Sequence, residues 1–97
     1  MKLEKGQFID KSRKLLKVSG GDAKKFLQGI ITNDIEGSIS SLIYSALLTP
    51  QGKYLFDFFI AGLDEENFLV DINLEKYKEF LDKLNLYKLR SNVSFEE

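Results

Sequence analysis

Residues 42–61 read LIYSALLTPQGKYLFDFFIA, and the fold turns on how this stretch is read. Leu42 to Thr49 is an apolar run that alternates Tyr44, Ala46 and Leu48 against Ile43, Ser45 and Leu47, the period of two that a strand requires. Pro50-Gln51-Gly52 ends the run. Proline presets φ for the position after Thr49 in a type I turn, and glycine closes it. Tyr54 to Ala61 then returns as a second apolar strand, so the pair predicts a β-hairpin. One charge stands inside the returning strand. Alternation sets Asp57 on the face of Leu55 and Phe59, with Tyr54, Phe56, Phe58 and Ile60 opposite. A carboxylate among apolar groups is paired, protonated or turned to solvent. Two readings stay open. In the plainer one, Asp57 faces outward and pairs with a lysine or hydroxyl across the ladder. In the sharper one, it lines an apolar pocket and accepts hydrogen bonds from a flat heterocycle, with Tyr44 and Phe59 offering ring faces.

Working outward, Gly62 to Asn67 reads as an acidic turn and Phe68 to Ile72 as a third strand. Asn73 is placed to cap a helix whose Leu74, Tyr77, Phe80, Leu81 and Leu84 fall on one stripe. Ser91 to Phe95 reads as a last short strand, with Val93 and Phe95 inward. Upstream, Ala23, Phe26, Leu27, Ile30 and Ile31 recur at helical spacing, predicting a helix that ends near Thr32–Asp34. Ser19 and Asp22 stand at capping-box spacing before it. Gly20-Gly21 matches neither a P-loop nor a dinucleotide fingerprint and reads as a tight strand-to-helix turn. Gly37 to Ser41 reads as loop. Phe8 and Ile9, then Leu15, Leu16 and Val18, suggest two short strands around a turn near Asp10–Ser12. The expected order is β-β-α-β-β-β-α-β. That is an α+β domain over residues 1–97, with a mostly antiparallel sheet covered by two helices.

Composition removes much chemistry. The 97 residues hold no Cys and no His, so no disulfide, thiolate nucleophile, Ser-His-Asp triad or ordinary zinc site can be built, and no metal site is expected. Fourteen Lys and Arg balance 15 Asp and Glu, for a net charge of −1, which argues against strong sequence-independent binding of nucleic acid. The start, MKLEKGQF, lacks the apolar run of a signal peptide, and no stretch reaches the ~20 apolar residues of a membrane span. A cytoplasmic location is the expectation that follows. Two further polar clusters deserve a reading. Asn33-Asp34 follows the first helix, as an ordinary C-terminal turn or as part of a site. Lys88 and Arg90 leave the second helix, favoured there by its dipole or set to recognise a carboxylate or phosphate. Six basic residues among the first 17 read as a solvated arm or as an anion contact.

Several of these runs, taken together, carry a resemblance. VSGGDA at 18–23, FLQG at 26–29 and TND at 32–34 resemble the opening of the YgfZ family, folate-binding relatives of the glycine-cleavage T-protein. ALLTPQGK at 46–53 with LFDF at 55–58 resembles that family's hairpin, and LYKLRSNV at 86–93 resembles the run that ends its first segment. The resemblance implies the first half of a folate-binding, aminomethyltransferase-like domain whose remaining domains lie elsewhere. It implies tetrahydrofolate or a derivative as cofactor, in a cavity that needs those domains. It also implies support of iron–sulfur cluster assembly or repair, an effect on tRNA modification, and iron–sulfur client proteins as partners. The cofactor-binding residues it suggests are Asp57, Tyr44, Phe59, Arg90 and Asn33; catalytic residues stay unassigned. The family's Lys-Gly-Cys signature has no counterpart here. T-proteins carry paired acids where this chain has Phe56-Asp57, so independent activity is not expected, a T-protein fragment being the alternative. An isolated half would expose the surface that packs on its other half, and a homodimer of the fragment is expected.

Overall fold

A computed structural model describes residues 12–48 and 51–97. The elements run β1 (Arg13–Ser19), α1 (Ala23–Ile30), α2 (Gly37–Ser40), β2 (Ile43–Leu48), β3 (Tyr54–Asp64), β4 (Asn67–Asn73), α3 (Leu74–Lys88) and β5 (Ser94–Glu96). The five strands form one sheet in the order β2-β3-β4-β1-β5, with every pairing antiparallel. The expected α+β class and antiparallel sheet are therefore present. The expected strand at Phe8-Ile9 lies outside the described residues, as do Thr49 and Pro50 of the hairpin turn.

Alternation gives the sheet an inner and an outer face. Leu16 and Val18 of β1, Phe56, Phe58 and Ile60 of β3, and Phe68, Val70 and Ile72 of β4 are all buried on the inner face. They meet Ala23, Phe26 and Leu27 of α1 and Phe80 and Leu84 of α3, the stripes that the helical spacing predicts. Phe80 is the hub. Its ring centroid lies 5.1 Å from that of Phe58 and 5.6 Å from that of Phe56, the tilted and edge-on arrangements that aromatic quadrupoles favour. Among the described residues no long helix lies on the outer face, and Leu15, Tyr44, Leu48, Phe59 and Leu63 are exposed there or along its margin.

The caps differ in outcome. Asn73 caps α3 as expected, its side-chain oxygen accepting from the Glu75 N–H at 2.7 Å. The expected capping box on α1 does not form. Asp22 is the N-cap, but its carboxylate accepts from the Asn92 N–H at 2.7 Å rather than from its own helix. The Asp22 N–H in turn donates to the Asn92 carbonyl at 3.1 Å, which ties the start of α1 to the chain entering β5. Gly20 sits in this knot with φ +129, and a β-carbon there would lie 2.2 Å from the Asn92 oxygen. The paired glycines thus make the tight turn that was read, with backbone filling the space.

Four expectations are corrected. The first helix stops at Ile30, because Ile31 takes extended geometry and bridges to Leu47. Residues 37–40, read as loop, form one helical turn that lies along β3. The reason is positional: β2 pairs with β3 only as far as Ile60, and beyond it α2 takes the vacant edge. Gly62 permits the approach, since a β-carbon there would come within 2.8 Å of Ile39 Cδ1. β3 itself continues to Asp64, so the acidic turn is shorter than expected. Asp64 closes it by accepting from the Glu66 N–H and the Asn67 amide, both at 2.8 Å, and these bonds lower its pKa below the usual 3.8. The last strand begins at Ser94 rather than Ser91, because residues 88–91 are spent on a turn.

Candidate functional site

The outer face of the β2–β3 ladder brings Asp57, Tyr44 and Phe59 together. The register pairs Tyr44 with Phe59 and Ala46 with Asp57. Tyr44 and Asp57 are therefore diagonal neighbours, a separation that a phenol can span. The Tyr44 hydroxyl donates to Asp57 Oδ2, and the Tyr44 and Phe59 ring centroids lie 5.3 Å apart, tilted by 59°. The plainer sequence reading of Asp57, an outward acid bonded to a hydroxyl across the ladder, describes this contact. The carboxylate is only half-buried, while Tyr44 is 52% exposed and Phe59 36%. One side of a flat group could lie here; the opposite wall is not supplied by these elements.

Asn33 stands behind the site rather than in it. Its amide donates to the Tyr44 carbonyl at 3.1 Å, and its side-chain oxygen accepts from the Asp34 N–H at 2.7 Å. Buried Ser45 works from the inner face: its Oγ accepts from the Thr32 and Asn33 N–H groups at 3.1 and 3.2 Å. Thr32 and Ala46 exchange two further bonds of 3.1 Å, from the Thr32 N–H to the Ala46 carbonyl and from the Ala46 N–H to Thr32 Oγ1. The segment after α1 is thereby stitched to the edge of β2 and fixes the backbone that carries Tyr44. Arg90 lies elsewhere. It follows α3, which covers the inner face, and leads into β5 at the sheet edge opposite β2.

A second acid shares the outer face and was missed in the sequence. Asp71 pairs with Phe59 on one side and Leu15 on the other, so a row runs Tyr44, Phe59, Asp71, Leu15 across four strands. Arg13 neutralises it, with Nε 2.9 Å from Oδ1, and also donates through Nη2 to the Asp71 carbonyl at 2.9 Å. The signal was available: Phe68, Val70 and Ile72 alternate with a lone carboxylate, as around Asp57. Beside this row lies an apolar hollow of about 430 Å³, walled by Leu15, Ile39, Leu42, Phe59, Ala61 and Leu69. Among the described residues, no group of three or more acidic side chains is placed to hold a metal ion.

Comparison with known proteins fits this architecture. The chain is 38% identical over 87 residues to the iron-sulfur cluster assembly factor IBA57 homolog, mitochondrial, of Pyricularia oryzae, covering 87% of the chain and 22% of that protein. The protein of the same name from Neurospora crassa is 35% identical over 92 residues, covering 88% of the chain and 21% of the relative. The chain thus spans about a fifth of the length of the curated relatives it matches. Among solved structures, the glycine cleavage system aminomethyltransferase T from Bartonella henselae superposes with a TM-score of 0.79. The identity is 24%, over 87% of the chain and 24% of that structure, and this likeness concerns the fold. The mitochondrial names overturn the expected cytoplasmic location. That expectation rested on a missing secretory signal, which does not separate one internal compartment from another. A family profile, that of the GCVT N-terminal domain, matches residues 6–97. With the match covering nearly all of the sequence and the sheet laid out as that fold requires, the chain belongs to the GCVT N-terminal domain family.

Proposed function

We propose that these residues are the first half of a folate-binding accessory protein of the YgfZ type, which supports iron–sulfur cluster assembly or repair, with tRNA modification among the processes depending on it. The observation that carries this reading is the Asp57 carboxylate, held by the Tyr44 hydroxyl beside the exposed Phe59 ring. The names of the fungal relatives, iron-sulfur cluster assembly factors, support the wider role.

The donor set suits tetrahydrofolate or a derivative. A pterin ring is flat, carries N–H donors at one edge and has faces that stack. Asp57 accepts those donors, Tyr44 orients the carboxylate, and the Tyr44 and Phe59 rings form one wall. Asn33 holds the backbone of Tyr44 in place. When bound, the folate supplies a carrier for one-carbon groups. The second wall comes from the rest of the polypeptide, for which the apolar outer face is the docking surface. In the isolated fragment a second copy takes that place. Aminomethyl transfer has less support: Phe56, beside Asp57, is buried in the core, so the strand presents one carboxylate and not two.

Titration calorimetry of the full-length protein with tetrahydrofolate tests the reading. Asp57→Asn is expected to weaken binding at least tenfold, about 1.4 kcal/mol, at an unchanged melting temperature. Equal affinity in wild type and variant would reduce Asp57 to a strand residue and remove the proposal.

A further inference from the structure

The Arg13–Asp71 pair on the outer face is only half used by the protein. Arg13 Nε donates to Asp71 Oδ1 and Nη2 to the Asp71 carbonyl, both at 2.9 Å. Among the described residues, Arg13 Nη1 donates to nothing and Asp71 Oδ2 accepts from nothing. The two side chains are 28% and 32% exposed, so both groups are within reach of a ligand. A guanidinium donor and a carboxylate acceptor thus stand side by side with bonding capacity left. At an open surface water would take it up. Here the pair borders the apolar hollow, which Asp71 itself lines together with Leu15, Phe59, Ala61 and Leu69. A hollow of about 430 Å³, mostly apolar and with few directional polar groups on its wall, has the size and make-up of a small-molecule site.

We infer that the hollow and the Arg13–Asp71 pair hold the aroyl amino acid stem of the ligand whose flat ring lies on Asp57. The chemistry selects the class. An acylated α-amino acid carries an amide N–H and a carboxylate joined through one carbon. Asp71 Oδ2 accepts from the N–H, Arg13 Nη1 donates to the carboxylate, and the aromatic acyl group fills the hollow over Ala61 and Leu69. A ligand with acceptors alone would leave Asp71 Oδ2 unpaired once water is excluded, and a cation gains little from an acid that Arg13 already balances. Continuity decides the occupant. Phe59 pairs with Tyr44 on one side and Asp71 on the other, so its ring borders both places. Tetrahydrofolate carries its groups in that order, a pterin, then a p-aminobenzoyl group, then glutamate. The inference rests on the folate reading for the identity of the ring, and on Arg13, Asp71 and the hollow for the stem. It makes Arg13 and Asp71 specificity-determining residues that tell a folate from a bare pterin.

The test is titration calorimetry of the full-length protein with tetrahydrofolate and with tetrahydropterin, the same ring without the stem. Wild type is expected to prefer tetrahydrofolate at least tenfold. Arg13→Gln, which removes the carboxylate donor, and Ala61→Phe, which fills the hollow, are each expected to abolish that preference. Ala61 points outward and is half-exposed, so Ala61→Phe leaves the core intact and decides the outcome even where Arg13→Gln fails to fold. Asp57→Asn is expected to weaken both ligands and keep the preference. A preference retained in Ala61→Phe, or wild type that binds the two ligands equally or binds neither, would overturn the inference. If Asp57→Asn then still weakens both ligands, the ring site stands and only the stem site falls. If instead the preference is lost in the hollow variants while Asp57→Asn changes nothing, the stem site stands and the reading of Asp57 falls.

Discussion

Gly20 shows how one atom can govern two elements. Its φ of +129 and the Asn92 carbonyl oxygen 2.2 Å from where a β-carbon would sit leave no room for alanine. Gly20→Ala is expected to lose at least ~2 kcal/mol in chemical denaturation, by prising the start of α1 from the entry to β5. A loss below ~0.5 kcal/mol would mean the turn relaxes freely. Ser45 is the polar counterpart. Buried to 1% exposure, it satisfies two backbone N–H groups, so Ser45→Ala is expected to cost ~1–3 kcal/mol. In a folate titration the same variant should weaken binding slightly, through Asn33 and Tyr44. Of the residues suggested for the site, Asp57 and Phe59 are legible as neighbours because alternation along one strand puts them on one face, and Tyr44 joins them only through the β2–β3 register. Asn33 and Arg90 follow helices, where spacing does not say which way a side chain turns. Asp71 escaped although its pattern matches that of Asp57, because its partner Arg13 lies 58 residues away in sequence and only the β1–β4 pairing reveals it.

The elements with a strong period were the readable ones. β2, β3 and β4 follow strict alternation, and α3 carries both its stripe and its cap in local sequence. Asn73→Ala should therefore lower stability by ~1 kcal/mol, measured by urea titration, with α3 fraying from its first turn. Phe80→Ala should cost ~3–5 kcal/mol, because its ring is packed against both Phe56 and Phe58. Where tertiary structure overrides local pattern, the sequence misled. The apolar pair Ile30-Ile31 extends the helical period, yet Ile31 leaves the helix to bridge Leu47. Residues 37–41 have glycine and serines typical of loops, yet 37–40 coil because the edge of β3 beyond Ile60 needs a cover. The helix is the consequence of a vacancy that only the pairing of β2 defines.

For the molecule as a whole, the outer sheet face sets behaviour in isolation. These 97 residues by themselves are expected to associate through Leu15, Tyr44, Phe59 and Leu63, and Phe59→Lys to shift them toward monomer in light scattering; wild type that stays monomeric at high concentration would refute this. Acid stability has a defined sign. The Asp64 and Glu97 carboxyls titrate below their ordinary values of 3.8 and 4.5, Asp64 through its turn hydrogen bonds and Glu97 through Lys14. Their contribution is complete above those values and is lost as pH falls through the lowered ones. The melting temperature of Asp64→Asn should therefore fall short of that of wild type at neutral pH and converge on it as the pH falls through the lowered value of the Asp64 carboxyl. The strand order has a last consequence, for synthesis. β1 occupies the interior of the sheet, but its partners are residues 67–73 and 94–96. A ribosome that has delivered β1, α1 and the β2–β3 hairpin has made no strand for Leu16 and Val18 to lie against. The nascent chain must hold Leu16 and Val18 without a strand partner until β4, Asn67–Asn73, has been translated, and a chaperone that shields extended apolar stretches should engage it there.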